Sequence, residues 1–265
     1  MIQETITSRK NELVKEAAKL LADASLRGKK RLFLAEGARL CADAAASGVP
    51  VVRLFATHAA MEKYQAYLNP VLACAEQAFL VEEHVAQLFS STKSPQGVFC
   101  VCRMPDRGLR LENVKPGGRY LALESVQDPA NLGAVLRTAE ALGIDGVILA
   151  GECCDCFSPK ALRASMGAVF RLPVFQAEGM PETFAKLGQA GFSTFAAVPD
   201  GDAVPVTACD FRRGAVAAVG NEGNGLTAET IKASGTKVTI PMQGRGESLN
   251  AAASAAILMW EMMRP

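Results

Sequence analysis

The chain reads as an α/β protein in two parts, the second built on a mainly parallel sheet. Three observations predict this. Short apolar runs, such as those at 51–55, 120–124 and 215–219, alternate with stretches of helical periodicity. In the second half these runs are continuously apolar, as strands covered on both faces must be. Between the halves, residues 104–118 change character: Pro105, Gly108, Pro116, Gly117 and Gly118 stand among scattered charges, the composition of a linker.

Size and charge bound the rest. A chain of 265 residues that is 49% hydrophobic can bury one large core or two small ones. With 21% charged residues it is not a disordered chain. The net charge of +1 gives no global basic field, so any nucleic-acid contact must use a local patch. Residues 1–53 hold ten Lys/Arg against six Asp/Glu, a local basic excess. The polar, amphipathic start is not a signal peptide. The most apolar run, 249–260, is too short for a bilayer and is interrupted by Ser254. A cytoplasmic protein with no membrane contact is expected. Of the eight cysteines, Cys153 and Cys156 form a C-x-x-C, but no second pair matches it and the histidines are only His58 and His84. A structural zinc site wants four ligands at paired spacing. Reduced thiols and no metal are therefore expected.

In chain order, Leu13, Val14, Ala17, Leu20 and Leu21 predict an amphipathic helix over 9–21. Residues 28–31 read as a basic turn, 32–35 as a strand and 36–46 as a helix. Gly48 and Pro50 punctuate before a strand at 51–55 and a helix around 59–67. The run 71–80 fits either element. A helix at 82–89, a polar loop at 90–95 and a strand at 97–103 complete the first part. In the second, a strand at 120–124 leads through a polar loop into a helix from Asn131 to about Leu142, ended by Gly143. A strand at 147–150 follows. Ser158 at N-cap with Pro159 at N1 opens a helix over 160–166. Then come a strand at 172–175, a helix at 181–189, a strand at 192–198, a turn-rich stretch at 200–209 and the strand 215–219. A glycine-rich loop, 220–225, precedes a short helix that begins at Thr227 and ends by Gly235. The strand 238–240 stops at Pro241. A loop with Gly244 and Gly246 ends at Ser248, which opens a final helix over 249–263.

Four polar clusters sit where predicted strands end. Asn131 reads as an N-cap, with Arg137 six positions on among Ala, Val and Leu. An exposed arginine there is unremarkable, whereas a buried one needs a partner. Lys160 and Arg163 share a helix face, with Arg171 beyond; phosphate contact and a solvated face both fit. The loop 220–225 has glycines in the order G-x-x-G-x-G, arrives late in the chain and lacks a Lys-Ser/Thr ending. A dinucleotide-dependent dehydrogenase or a P-loop enzyme is therefore a poor reading. Its Glu222 would repel phosphate but suits a cation such as Arg137. Last, Ser248 reads as a cap. Asn250 is costly inside an Ala-rich helix, which favours a role for it.

Taken together, Asn131-x-Gly133-x-x-x-Arg137-Thr138-Ala139, the run Val219-Gly220-Asn221-Glu222-Gly223-Asn224-Gly225-Leu226, and Ile240-Pro241-Met242-x-Gly244 continuing to Glu247-Ser248-Leu249-Asn250 resemble three ordered motifs. These are the motifs of the TrmH (SpoU) family, SPOUT-class RNA 2′-O-ribose methyltransferases. The resemblance covers about 120–263. Residues 1–105 are similar to the family's ribosomal-protein-L30e-like α/β substrate-binding domain, whose closing segment Ser94-Pro95-Gln96-Gly97 resembles. This implies a substrate-binding domain at 1–105, a linker at 106–118 and a methyltransferase domain at 119–265 with a deep trefoil knot. It implies S-adenosylmethionine held by Gly220, Ile240 and Leu249, with Ala197, Met242, Glu222 and Asn250 nearby. Arg137 matches the catalytic arginine, and Asn131, Glu222, Ser248 and Asn250 its polar companions. Lys160, Arg163, Arg171, Lys29, Lys30, Arg31 and Lys93 are the expected RNA contacts. The resemblance further implies a homodimer through the C-terminal domain and 23S rRNA as substrate; tRNA, or a catalytically silent RNA-binding role in ribosome assembly, are the alternatives. The cysteines at 153–156 are not part of the family pattern.

Overall fold

The computed structural model describes residues 2–106, 108, 110 and 113–264. The predicted linker thus includes Arg107, Leu109, Leu111 and Glu112, which lie outside the described residues. The chain divides into two compact units, Met1–Asp106 with Phe157–Phe170, and Arg107–Cys156 with Arg171–Pro265.

The first unit is a mixed five-stranded sheet in the order β1-β4-β3-β5-β2. Its strands are β1 (Ile2–Ile6), β2 (Leu32–Glu36), β3 (Val51–Ala56), β4 (Gln77–Val81) and β5 (Val98–Arg103). β1, β4 and β3 run parallel, and β5 pairs antiparallel with both β3 and β2. Helix α1 (Glu12–Ala22) is capped by Asn11 and buries Val14, Ala17 and Leu20. They join a core with Phe55, Phe79, Phe89 and Phe99. Residues 28–30 are not a turn but the end of α2 (Ala24–Lys30), capped by Asp23. Arg31 closes α2 in the left-handed conformation, and the basic last turn complements the helix dipole. β1 was not legible, because four of its five residues are exposed and carry no strand alternation. Helix α3 (Ala38–Ala46) follows β2, and α4 (His58–Lys63) and α5 (Gln65–Cys74) connect β3 to β4. A short helix α6 (Glu83–Ala86) follows β4.

Residues 157–170 also belong to this unit, although they follow a strand of the other one. Phe33 on β2 stacks on Phe157 at 4.5 Å and on Phe170 at 5.8 Å between ring centroids. Between these rings runs α8 (Pro159–Ser165), capped by Ser158 as the Ser-Pro pair predicts, and α9 (Ala168–Arg171) begins after it.

Among the described residues the second unit holds seven strands, every pair parallel, in the order β10-β12-β9-β11-β6-β7-β8. They are β6 (Arg119–Glu124), β7 (Gly146–Ala150), β8 (Val174–Ala177), β9 (Ser193–Ala197), β10 (Val204–Pro205), β11 (Ala215–Val219) and β12 (Thr236–Thr239). β7 and β11 are buried along their whole length, which is why they read as unbroken apolar runs. Helices α7 (Pro129–Leu142), α10 (Met180–Gln189), α11 (Ala228–Ala233) and α12 (Ala251–Met263) cover the sheet. One face is filled by Tyr120, Phe175, Phe184 and Phe192. Beneath α11, the buried Glu124 accepts from Thr227 N at 2.8 Å and from the Thr227 and Thr230 hydroxyls.

Two helix starts differ from expectation. α7 begins at Pro129 with Asp128 as cap, accepting from Ala130 N at 2.9 Å, so Asn131 lies in the first turn rather than at the cap. An Asp-Pro pair satisfies the N1 preference for proline and the N-cap preference for aspartate together. α12 begins at Ala251, with Asn250 as cap accepting from Ala252 N and Ala253 N at 2.9 and 3.2 Å. Ser248 is therefore not the cap. β8 falls two residues later than predicted, and the turn-rich stretch holds the two-residue β10.

Because the strands are parallel, the loops after β6, β9, β11 and β12 leave from the same end of the sheet. Ligands in open α/β sheets bind at such carboxyl ends. For the first unit, Phe33→Ala removes both ring stacks and leaves a cavity. We expect it to lower the stability of that unit by about 3–5 kcal/mol in urea unfolding, with Leu at the same position recovering most of the loss.

Candidate active site

The loops after β9, β11 and β12 enclose a cleft of about 560 Å³, within the roughly 300–1,000 Å³ of small-molecule sites. Gly220 begins the loop after β11, and no other residue type fits there. A Cβ at Gly220 would fall 2.0 Å from the carbonyl carbon of Gly225. That loop folds back on itself: Asn221 N donates to Gly225 O at 3.0 Å, and Gly225 N to Asn221 O at 2.9 Å. Gly225 takes φ +68°, the left-handed region that favours glycine. Asn221 then ties the loop to the end of β6, donating from Nδ2 to Ser125 O at 2.8 Å. Its Oδ1 accepts from Gly223 N and Asn224 N, an Asx turn. By contrast, a Cβ at Gly244 would face open space and one at Gly246 would come no closer than 4.0 Å to Ser248 O, so the steric need for glycine lies at Gly220.

Glu222 is the junction of the site. Its carboxylate accepts from Gln127 N at 3.1 Å, Asp128 N at 3.0 Å and Asn131 Nδ2 at 3.0 Å. Asn131 Oδ1 in turn accepts from Asn250 Nδ2 at 3.0 Å. One chain of hydrogen bonds thus joins the loop after β6, helix α7, the loop after β11 and the start of α12. Burial alone would push the Glu222 carboxyl up. The bonds from Asn131, Gln127 and Asp128 outweigh it and hold the carboxyl below the usual range. The expected pairing of Glu222 with Arg137 is not present, because backbone and amide donors already occupy the carboxylate. Arg137 is exposed on α7 and, among the described residues, makes no hydrogen bond or ion pair. Neither Asn131 nor Ser248 bonds to it.

Of the residues expected around the cofactor, Gly220, Ile240, Leu249, Ala197 and Met242 line the cleft, as do Glu222 and Ser248. Asn131, Arg137 and Asn250 are not lining residues. Asp200, Ile231 and Lys237 also line the cleft, which no sequence motif marked, together with Leu226 and Glu247 of the motifs. Lys237 pairs with Asp200 at 2.7 Å, which leaves Glu222 and Glu247 as the uncompensated charges of the lining. Apolar walls with a net negative charge and no arginine suit a ligand that carries a ring and a positive charge. They do not suit a nucleoside phosphate.

The cysteines next to this site are thiols without metal geometry. All eight are free, and among the described residues no group of three or more His, Cys, Asp or Glu could hold an ion. Cys153 Sγ donates to Leu123 O and Ala150 O, both at 3.4 Å. Burial pushes its thiol up, and burial with the neighbouring thiols and Glu222 pushes Cys154 to about 12.

The expected RNA contacts scatter. Lys30 pairs with Glu16, and Arg31 donates to Pro105 O at 2.7 Å. Arg171 pairs with Glu140 at 2.7 Å. Arg163 donates to Ser91 Oγ. Lys29, Lys93 and Lys160 are exposed.

Residues 118–260 match the model of the SpoU rRNA methylase family. The chain belongs to that family. Residues 11–100 match the MRM3-like substrate-binding domain. Among SpoU relatives, the 23S rRNA (guanosine(2553)-2′-O)-methyltransferase RlmP of Bacillus subtilis is 30% identical over 257 residues, 97% of this chain and 98% of its own. The 23S rRNA (uridine(2479)-2′-O)-methyltransferase of Streptomyces viridochromogenes is 29% identical over 265 residues, 98% of this chain and 91% of its own. An AdoMet-bound rRNA methyltransferase from Sinorhizobium meliloti superposes with a TM-score of 0.86 at 31% identity, over 98% of this chain and 97% of that one.

Two outcomes follow from the SpoU site. Gly220→Ala forces the loop after β11 apart, so we expect calorimetry to find S-adenosylmethionine binding lost. Gly223→Ala, whose added Cβ would make only an ordinary contact with Asn221 Oδ1 at 3.6 Å, should keep it. Glu222 has a lowered folded pKa. Its stabilisation is therefore complete above the pKa it has in the unfolded chain and is lost as pH falls through the lower folded value. The stability difference between the native chain and Glu222→Gln should shrink between about pH 6 and about pH 3 in urea titrations.

Proposed function

We propose that this chain transfers a methyl group from S-adenosylmethionine to a ribose 2′-hydroxyl of 23S rRNA. The observation that carries the reading is the Glu222–Asn131–Asn250 chain of hydrogen bonds. It draws the three family motifs to one end of the parallel sheet, beside a cleft lined by Gly220, Ile240 and Leu249. The cleft fits the cofactor in character: apolar side chains for the adenine and carboxylates for the positively charged sulfur and amino group. When bound, S-adenosylmethionine supplies a methyl group on a cationic sulfur that departs neutral.

The residues have the remaining tasks. Methyl transfer to a hydroxyl, with a leaving group that departs neutral, asks mainly for alignment and for removal of the hydroxyl proton. No histidine lines the cleft, so the commonest general base is absent. A guanidinium is a poor proton acceptor, so the role of base is not given to Arg137. Its exposed, uncommitted guanidinium instead grips a phosphate of the RNA beside the target ribose. As the new oxygen–carbon bond forms, the hydroxyl becomes strongly acidic, so a phosphate oxygen oriented by Arg137 suffices as acceptor. Ser248, exposed on the cleft wall, orients the ribose. Glu222, Asn131 and Asn250 hold the loops in place.

In this reading residues 1–105 bind the RNA, 106–118 link and 119–265 catalyse. The C-terminal segment is threaded as a trefoil knot. β12 lies beyond β9, yet α12 returns to pack on α7, β11 and β6, as such threading requires. A second copy covers α12, where Trp260 is 62% exposed and Ile257 36%. None of the helices is long and apolar enough to cross a membrane among the described residues. A cytoplasmic enzyme is in keeping with its proposed substrate.

Arg137→Ala should leave S-adenosylmethionine binding near the native value by calorimetry and lower tritiated-methyl transfer to 23S rRNA at least about 100-fold. Near-native turnover would refute the role given to Arg137. Trp260→Glu should convert a dimer to a monomer in sedimentation at micromolar concentration; a native protein that sediments as a monomer would refute the dimer.

A further inference from the structure

One polar cluster of the first unit has no part in the chemistry above. Glu36, at the end of β2, has a side chain only 8% exposed, yet it is ionised in an unusual setting. Its carboxylate accepts from Ser90 Oγ at 2.5 Å, Ser91 Oγ at 2.6 Å, Ser91 N at 2.9 Å and Thr92 Oγ1 at 3.0 Å. Burial alone would raise its pKa; the hydroxyl and amide donors more than offset this. A single loop thus wraps one buried carboxylate. Helix α8 adds Arg163, which donates to Ser91 Oγ and lies 3.9 Å from the carboxylate. Lys93, the next residue, is exposed and among the described residues has no partner.

The direction of these bonds matters. A hydroxyl has one proton and two acceptor lone pairs. Glu36 takes the protons of Ser90 and Ser91, and the Thr92 hydroxyl gives its proton to Glu36 or to Ser90 Oγ at 3.1 Å, in both cases away from solvent. Ser90 Oγ spends one lone pair on Thr92 N, and Ser91 Oγ one on Arg163. Ser91 and Thr92 are exposed, so the oxygens they show to solvent can only accept. Serines and threonines free to rotate would offer donors and acceptors alike. This loop has been fixed as an acceptor surface, edged by two cations. A nucleic-acid backbone offers phosphates to cations, but only RNA offers a sugar hydroxyl to an acceptor.

We propose that the loop Ser90–Lys93 with Arg163 is a docking surface for the RNA sugar–phosphate backbone. Lys93 and Arg163 engage phosphates, and the Ser91 and Thr92 oxygens accept from ribose 2′-hydroxyls. Glu36 is the positioning residue that sets their polarity. The inference rests on the reading of the chain as an RNA methyltransferase and adds to it how RNA is told from DNA.

The test is fluorescence anisotropy on the full-length protein, with a labelled RNA hairpin and the DNA hairpin of the same sequence. The native chain should prefer RNA. Glu36→Gln, whose amide donates as well as accepts, should lower the RNA-to-DNA affinity ratio several-fold. Lys93→Ala should weaken both ligands alike and reduce the salt slope by about 0.7–0.9. In turnover, Glu36→Gln should raise KM for RNA and leave kcat and KM for S-adenosylmethionine unchanged. If Glu36→Gln fails to fold, Ser91→Ala with Thr92→Val removes the acceptors and keeps the carboxylate, and the same loss of ratio is expected. A preserved RNA preference in the folded variants overturns the inference, as does a native chain that binds both hairpins equally. Calorimetry with S-adenosylmethionine on the same samples separates the two readings. Cofactor binding without RNA preference sinks only this inference, whereas no cofactor binding sinks the methyltransferase reading.

Discussion

The site depends on one carboxylate with more donors than it needs for charge alone. Glu222 sits on a loop that follows the central strand of a parallel sheet, and it is held by two backbone N–H groups and one amide. Those donors come from the loop after β6 and from α7, and the amide passes the constraint on to α12 through Asn250. Each bond alone is worth about 1 kcal/mol net. Their joint effect is geometric: loops separated by about a hundred residues of chain are fixed against one another beside a single cleft. A hydrophobic contact could hold them close, but it would not fix direction. The same choice frees Arg137. With the carboxylate satisfied by other donors, Arg137 makes no hydrogen bond or ion pair among the described residues, which is what the proposed phosphate grip requires of it.

The two units repeat one physical device. Glu36 gathers a serine-rich loop as Glu222 gathers the motif loops, and in both cases hydrogen bonds outweigh the cost of burial. Two carboxylates thus organise loops rather than react. Cys153 and Cys154 stand near Glu222, but burial raises their pKa, which disfavours the reactive thiolate.

Much of this was legible in the sequence. The buried strands announced themselves because β7 and β11 are apolar throughout, and Ser158-Pro159 marked a helix start that the structure has. Gly220, Ile240, Leu249, Ala197 and Met242, expected at one ligand, line one cleft, whereas Asn250 does not. What failed was local direction. Asp128-Pro129 and Asn250 are the caps, not Asn131 and Ser248, because several polar residues in a row can each cap and only the backbone decides among them. The partner of Glu222 was misjudged because sequence displays side-chain charges and hides backbone N–H groups. β1 escaped notice, since its residues are largely exposed and an edge strand need not alternate. The place of residues 157–170 in the first unit was also invisible. It rests on Phe33 meeting Phe157 and Phe170, contacts across more than a hundred residues of chain that no periodicity encodes.

The most direct measurement is calorimetric titration of S-adenosylmethionine into Asn131→Ala. Asn131 does not line the cleft, so a site built by direct contact alone would not feel its loss. If the hydrogen-bond chain assembles the pocket, the variant stays folded and binds the cofactor roughly tenfold more weakly. Binding at the native affinity would contradict the account.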